Sequence, residues 1–167
     1  MNKLIIITIS FLLFSCNQGT VIDNGDWSGT INANSDESKI ITKLSKSYVD
    51  GNFEIVAEYL ADDAVNTVNG VIYSKEEWIA GYKRDHDIFD NIQQNDLNIT
   101  TMYYNNGRVF TNHWLTWSGT SKITGETNTA EYYGYWEWKD GKVIATGGIL
   151  DPTWYGAEIM RYLETQN

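Results

Sequence analysis

The sequence predicts an α+β fold in which three N-terminal helices pack on a strongly curved antiparallel sheet, forming a cone-shaped barrel with a central pocket. Apolar residues at helical spacing lie before residue 90, and long segments rich in β-branched and aromatic residues lie after it. The helices are therefore segregated ahead of the strands, as in an α+β layout. The length of 167 residues indicates a single domain.

Three helices are predicted before the sheet. Ser35 or Asp36 caps the first, whose apolar residues recur at helical spacing until Gly51 ends it. A second, short helix is expected over residues 52–60. The third, over residues 74–89, begins with the capping-box pattern Ser-Lys-Glu-Glu.

The strands are predicted from runs of β-branched and aromatic residues bounded by Gly, Asn and Asp. A short strand at 64–68 precedes four long strands in a meander, at 97–104, 108–117, 127–138 and 142–150. The turn Lys139-Asp-Gly141 is a hairpin signal between the last two. Asn91–Asp96 is expected to be a polar loop, and Trp154–Tyr162 a short closing helix.

Composition excludes several classes of partner and site. The formal net charge of -10 argues against nucleic acid or an anionic membrane surface as a partner. A single cysteine excludes an internal disulfide framework. Cys16, His86 and His113 show no metal-ligand spacing, so no metal site and no cofactor are expected.

The N-terminal segment is typical of a bacterial lipoprotein. Residues 1–15 have a short polar start and then the apolar run Leu4–Phe14, which has signal-peptide length. The run ends in Leu13-Phe-Ser-Cys16, which resembles the lipobox, and this implies acylation of Cys16. The sequence thus indicates an anchor in the bacterial cell envelope, at the outer membrane or facing the periplasm. Residues 16–35 are expected to be a flexible tether, from which Trp27 is the one candidate to dock on the domain.

An ordered set of short segments carries a family resemblance. These segments are Tyr48-Val-Asp-Gly-Asn-Phe53, Tyr59-Leu-Ala-Asp-Asp-Ala-Val65, Ser74–Tyr82 and the hairpin at 138–143. Through these segments, the region from Glu37 to about Pro152 resembles the nuclear transport factor 2-like superfamily and its SnoaL-like, polyketide-cyclase-like group. The resemblance implies a deep apolar pocket and a homodimer through the outer face of the sheet. Its members include isomerases, cyclases, dehydratases, epoxide hydrolases and non-catalytic binding domains, so the fold does not choose the function.

His113 and Asp63 are the candidates for a catalytic role. Strand alternation places His113 and Trp136 on faces that, by the resemblance, look into the pocket. His113 could act as a general base beside a carboxylate, with Asp63 of the pair Asp62-Asp63 as its partner. The alternatives are a histidine that only hydrogen-bonds within a mixed core and an acidic pair that caps a turn.

The aromatic residues favour a binding pocket. Six of them are expected to line it: Trp78, Tyr82, Trp117, Tyr132, Trp136 and Trp138. Seven Trp and eleven Tyr exceed what the core of one small domain requires, so we predict a small apolar or aromatic ligand. A non-catalytic binding domain is the leading hypothesis. A metal-free cyclase, isomerase or dehydratase that uses His113 and Asp63, or a protein–protein interaction module, remains an alternative.

Overall fold

One curled, unclosed sheet of seven strands forms the wall of the molecule, and helices pack on its inner side. The computed structural model describes residues 25–166. The strands are β1 (Gly29–Asn32), β2 (Leu60–Val68), β3 (Val71–Tyr73), β4 (Phe89–Tyr104), β5 (Val109–Ser121), β6 (Thr127–Lys139) and β7 (Lys142–Leu150). The helices are α1 (Asp36–Val49), α2 (Lys75–Ile88) and α3 (Pro152–Thr165), with a 3-10 helix at Phe53–Glu58.

The sheet order is β1-β4-β5-β6-β7-β2-β3, so β1 and β3 are its edges. Strands β4 to β7 form the predicted meander, and every pairing is antiparallel except that of β2 with β7. The parallel pair arises because β2 and β7 are distant in the chain and are joined by crossing connections rather than by a hairpin. The predicted α+β class is confirmed.

Side-chain caps define the starts of the helices. The Ser35 hydroxyl accepts a hydrogen bond from the Ser38 amide at α1, and Ser74 and Glu77 form the predicted capping box at α2. Asp151 caps α3, with Pro152 in its first turn. Helix α3 is longer than predicted, since its first and last turns carry little apolar signal in the sequence.

The predicted loop Asn91–Asp96 is part of β4. Asn91 and Asp96 both adopt positive φ, at 53° and 50°. The register with β5 shifts at those two points, between Asp90 and Gln93 and between Asn95 and Asn98. Polar residues that tolerate the left-handed region thus form two bulges that bend the strand, and the prediction of a loop is wrong for this reason.

The second helix is shorter than predicted. Only Phe53–Glu58 is helical, in a 3-10 form, and Leu60 already begins β2. The amide of Val143 donates a hydrogen bond to the Tyr59 carbonyl, so pairing with β7 begins where the helix was expected to continue. Strand formation therefore overrides the helical spacing of these residues.

Part of the predicted tether belongs to the sheet. Gly29–Asn32 pairs with the end of β4, and Gly29 lies so close that an added Cβ would be 2.0 Å from the Tyr103 carbonyl oxygen. The Trp27 ring lies 5.2 Å from that of Tyr104, centroid to centroid, so Trp27 docks on the domain. This segment pairs through its backbone at an exposed edge of the sheet. Its sequence therefore lacks the alternation of apolar and polar residues that predicts a strand.

The alternation of burial along β5 and β6 confirms the predicted faces. His113, Leu115 and Trp117 point inward from β5, and Trp136 and Trp138 point inward from β6. Thr111 pairs with Trp136, and His113 with Gly134. The inner face therefore presents imidazole and indole groups toward the helices.

Candidate functional site

A cavity of about 640 Å³ lies between the helices and the inner face of the sheet. Its size suits a small organic ligand. Apolar and aromatic side chains dominate its lining, and most come from α1, α2, α3, β5 and β6. Helix α3 contributes Tyr155, Ile159 and Tyr162, so the closing helix forms one wall.

Five of the six predicted aromatic lining residues lie in the cavity wall. They are Trp78, Tyr82, Trp117, Tyr132 and Trp136. Trp138 is buried but does not line the cavity; its Nε1 donates a hydrogen bond to Thr111 Oγ1 at 2.9 Å. Trp138 lies at the end of β6 and is part of the buried core, where its indole N–H already has a partner.

His113 lies in the cavity wall as predicted, without a hydrogen-bond partner. The side chain is 5% exposed, and within residues 25–166 neither Nδ1 nor Nε2 has a partner. Its ring centroid is 5.5 Å from that of Tyr132 and 6.5 Å from that of Trp136. Burial lowers the pKa of His113 to about 4, so the imidazole is neutral at physiological pH.

Asp63 does not meet His113 in the cavity. Alternation along β2 turns Ala64 and Asn66 inward and leaves Asp63 exposed, and Asp63 is not among the lining residues. The neighbouring Asp62 pairs with Lys75 at the start of α2, 3.2 Å apart. The acidic pair is therefore a surface feature of β2, and the predicted His113–Asp63 pair is not formed.

A different carboxyl group, that of Asp85 on α2, lies in the cavity wall. It is 2% exposed and accepts hydrogen bonds from two tyrosines. The Tyr48 hydroxyl donates to Oδ2 at 2.9 Å, and the Tyr155 hydroxyl donates to Oδ1 through a short contact. Trp117 Nε1 in turn donates to the Tyr48 hydroxyl at 2.8 Å. Side chains of α1, α2, α3 and β5 thus meet at one buried carboxyl group.

The environment of Asp85 favours its neutral form. Burial raises the pKa of Asp85 to about 7, while the hydrogen bonds from Tyr155 and Tyr48 and the charge of Arg84 oppose that rise. Within the described part of the chain, no basic side chain forms an ion pair with Asp85. A buried carboxyl group in a cavity wall whose pKa is strongly shifted by burial is a candidate for a functional site.

Two tryptophans leave hydrogen-bond donors unused at the cavity. The Nε1 groups of Trp78 and Trp136 are buried and have no partner among the described residues. Their rings lie 5.5 Å apart, centroid to centroid, in an edge-on arrangement. With the two nitrogens of His113, they form a group of polar atoms that a ligand could satisfy.

The site requires glycine beneath Tyr132. A Cβ at Gly134 would lie 2.4 Å from the Tyr132 hydroxyl oxygen, and a Cβ at Gly148 would lie 2.7 Å from it. The Tyr132 ring therefore lies flat along the sheet over both glycines. Burial also raises the pKa of Tyr132 to about 12, so its hydroxyl stays protonated.

Asp85, Tyr48 and Tyr155 were not predicted as site residues from the sequence. One signal for Asp85 was available, because Trp78, Tyr82 and Asp85 follow at helical spacing and share one face of α2. A carboxyl group on the same helical face as two aromatic residues indicates that it points toward the core. His86, in the last turn of α2, is part-buried, with Nε2 2.7 Å from the Tyr48 carbonyl oxygen.

Other sequence predictions are not decided by this part of the molecule. Cys16, the signal peptide and the first part of the tether lie outside the described residues 25–166. Among those described, no group of three or more His, Cys, Asp or Glu residues is placed to hold a metal ion. No helix within the same range is long and apolar enough to cross a membrane.

Several solved structures share this architecture. A candidate polyketide cyclase from Xanthomonas campestris has a TM-score of 0.59 at 15% identity, over 73% of this chain and 95% of its own. IdmH, a candidate polyketide cyclase from Streptomyces antibioticus, has a TM-score of 0.57 at 19% identity, over 75% and 99%. A nuclear transport factor 2-like protein of unknown function from Burkholderia pseudomallei has a TM-score of 0.54 at 15% identity, over 76% and 96%.

No protein-family model matches the sequence, and no curated protein matches it. At the identities of the solved structures, the likeness concerns the fold and not the activity. The superposition extends over about three quarters of this chain and almost the whole of each of those structures. The chain therefore has the fold of the nuclear transport factor 2-like superfamily.

Proposed function

We propose that this domain binds a small, mainly apolar or aromatic molecule that carries a hydrogen-bond acceptor, in the cavity between the helices and the sheet. The observation that carries the proposal is the set of polar atoms at the cavity that have no partner within residues 25–166, on Trp78, Arg84, Trp136 and His113. Buried polar groups are ordinarily paired, so unused donors in the wall of a cavity favour a ligand that pairs with them.

The size and chemistry of the wall support the same ligand class. Aromatic rings supply flat apolar surface, and the cavity volume of about 640 Å³ accommodates a molecule of several rings. Two proteins of this fold are named as candidate polyketide cyclases, and cyclised polyketides have this size and ring-shaped character. That similarity supports the ligand class and leaves the activity open.

The test is native mass spectrometry of the full-length protein extracted from its own cells. We expect a bound molecule that is released on denaturation. Trp136→Phe and Trp78→Phe keep an aromatic ring but remove the N–H group, so each should weaken binding by about tenfold. Trp114→Phe on the outer face is the matched control and should bind as the wild type does. Unchanged binding in both cavity variants would contradict the proposal.

A second candidate function is catalysis by proton transfer, and the observation that favours it is Asp85. A carboxyl group with a pKa near 7 can both accept and return a proton at neutral pH. In this version the Asp85 carboxylate takes a proton from the ligand, and the carboxylic acid later returns one. His113 is not hydrogen-bonded to any carboxylate, so the enzyme hypothesis rests on Asp85 rather than on a His–Asp pair.

Deuterium uptake separates the two candidates. The recovered ligand is incubated with the protein in D2O, and its mass is followed with time. A catalyst would exchange carbon-bound hydrogens for deuterium, whereas a pure binding domain would leave them in place. Asp85→Asn should abolish any exchange, while Asp87→Asn on the same helix should not.

We also propose that Cys16 carries a lipid anchor that holds the domain in the bacterial cell envelope. The support is the motif Leu13-Phe-Ser-Cys16 after an apolar run of signal-peptide length. Cys16→Ser should release the protein from the membrane fraction or block its processing. Ser15→Ala is the control, because a small residue before the cysteine is retained. Unchanged membrane partition of Cys16→Ser would contradict the anchor.

A further inference from the structure

We propose that the end of the cavity around Asp85 recognises a cationic amine carried by the apolar or aromatic ligand. This inference rests on the proposed binding function and specifies the charged group of the ligand. It is carried by a buried carboxyl group that has spare acceptor capacity, aromatic neighbours and no ion pair within residues 25–166.

The Asp85 carboxyl group is only partly satisfied by the protein. An ionised carboxylate offers about four acceptor sites, and the hydroxyls of Tyr48 and Tyr155 occupy two of them. Buried carboxylates are normally paired with a cation. None of the ion pairs within residues 25–166 involves Asp85. The charge of the neighbouring Arg84 acts on Asp85 without forming an ion pair. An ammonium group from the ligand would supply the direct ion pair and the missing donors.

Aromatic rings surround this carboxyl group. Tyr48 and Tyr155 contact it directly, and the Trp117 ring lies 5.5 Å from that of Tyr155. Tyr82 stands edge-on to Tyr48, with ring centroids 5.3 Å apart. Aromatic faces attract cations, and they do so most strongly where water is excluded. A carboxylate within such a group of rings recognises a cation better than a neutral or anionic group.

The charge of the cavity points to the same ligand. The carboxyl-bearing residues in its lining are Glu77, Asp85 and Asp87, and the cavity has one guanidinium, that of Arg84. His113 is neutral at physiological pH because burial lowers its pKa. With Asp85 ionised, acidic groups outnumber basic ones in the lining. The whole chain has a net charge of -10, which attracts cations from solution.

Polar groups with different hydrogen-bonding preferences line the same cavity. The indoles of Trp78 and Trp136 can only donate hydrogen bonds, so they fit an acceptor on the ligand. The Asp85 carboxylate can only accept them, so it fits a donor, and a charged donor best. The expected ligand is an aromatic or polycyclic body with an ammonium group and a separate acceptor oxygen or nitrogen.

The test uses three probes with the same aromatic body and different heads. These are 2-(1-naphthyl)ethylamine, 2-(1-naphthyl)ethanol and 1-naphthylacetate, added to the full-length protein at about pH 8, where the amine is protonated and Asp85 is ionised. Affinities are measured by isothermal titration calorimetry up to about 1 mM probe. We expect the amine to bind at least about tenfold more tightly than the alcohol, and the acid to bind weakest.

Substitutions in the protein test whether Asp85 causes the preference for the amine over the alcohol. Asp85→Asn keeps the shape of the side chain and removes its charge, so the amine should lose its advantage over the alcohol. Glu76→Gln is the matched control, because Glu76 is an exposed carboxylate of the same helix that does not line the cavity. It should reduce amine binding by less than about threefold. Tyr155→Phe keeps the carboxylate and removes one donor to it, so the preference for the amine should persist or increase.

Each outcome decides the inference. If the alcohol or the acid binds the wild type as tightly as the amine does, the cationic ligand is excluded while the binding function stands. If none of the probes binds, the proposed function fails together with the inference. If Asp85→Asn does not fold, Tyr155→Phe decides, since a loss of the preference for the amine in that variant would overturn the role of the carboxylate.

Discussion

Two buried side chains in one cavity have pKa values shifted in opposite directions. Burial raises the pKa of Asp85 to about 7 and lowers that of His113 to about 4. The physical cause is the same, because in both cases the cavity penalises the charged form. Near neutral pH, His113 is uncharged and Asp85 is divided between its two forms.

Opposite shifts predict opposite pH dependences of stability. The pKa of Asp85 is higher in the folded state than in the unfolded state. Its contribution to the free energy of unfolding is therefore fully present below about pH 4 and is lost as the pH rises to about 7. The pKa of His113 is lower in the folded state, so its contribution is present above pH 6.5 and is lost as the pH falls to about 4. Each slope can reach about 1.4 kcal/mol per pH unit.

Single substitutions should separate the two contributions. Relative to the wild type, Asp85→Asn should gain stability as the pH rises from about 4 to about 7. His113→Gln should gain it as the pH falls from about 6.5 to about 4. Urea unfolding followed by tryptophan fluorescence measures both. Parallel curves for the two variants and the wild type would show that these groups titrate alike in the folded and unfolded states.

These residues also show how far sequence reasoning reached. His113 and Trp136 could be assigned to the cavity because strand alternation fixes which side chains share a face. Asp85, Tyr48 and Tyr155 meet from three helices, and no local pattern specifies how helices approach one another. Asp63 was chosen because of its place in an acidic pair, and the alternation of β2 turned it outward.

At the scale of elements, α3 is held by a buried carboxylate. Glu158 is fully buried, accepts a hydrogen bond from the Ser121 hydroxyl and pairs with Arg161. The pairing matters because α3 carries Tyr155, the donor to Asp85, into the cavity wall. The position of this helix therefore links the stability of the C-terminal region to the geometry of the site.

Arg161→Met should loosen α3. The variant keeps most of the apolar stem but leaves Glu158 with one neutral donor, at a cost of about 1–3 kcal/mol. The cost is below that of a fully buried pair, because the Arg161 side chain is 48% exposed. Hydrogen exchange should become faster in Pro152–Thr165. Lys39→Met breaks the exposed Lys39–Asp36 pair of α1 and should change stability by less than about 1 kcal/mol. Equal effects would contradict the role of Glu158.

Elements with strong side-chain patterns could be predicted and those defined by backbone pairing could not. The aromatic alternation of β5 and β6 indicated both their extent and their faces. Strand β4 was cut short because its polar bulge residues look like a loop. Strand β1 was not predicted because all four of its residues are exposed. Its pairing with β4 uses backbone groups, so its sequence shows no alternation of apolar and polar residues.

At the scale of the whole molecule, the outer face of the sheet carries large aromatic and aliphatic side chains that the rest of residues 25–166 leaves exposed. Four large side chains on neighbouring strands of that face are exposed: Trp114 at 45%, Tyr133 at 56%, Tyr135 at 41% and Ile149 at 67%. The inner face of the same strands is covered by helices and forms the cavity wall. A contiguous aromatic patch of this kind is typical of a protein interface.

The patch predicts a two-fold homodimer through the outer face, since a self-complementary contact covers the same residues in both copies. Sedimentation velocity at tens of micromolar, an order-of-magnitude choice for moderate affinity, should show a dimer of the full-length protein.

Tyr133→Arg places a charge in the centre of the patch and should weaken association by at least about tenfold, because a buried unpaired charge is costly. Met160→Arg is the control, as Met160 is 59% exposed on α3, away from the sheet. A wild-type monomer, or equal dissociation in both variants, would place the interface elsewhere.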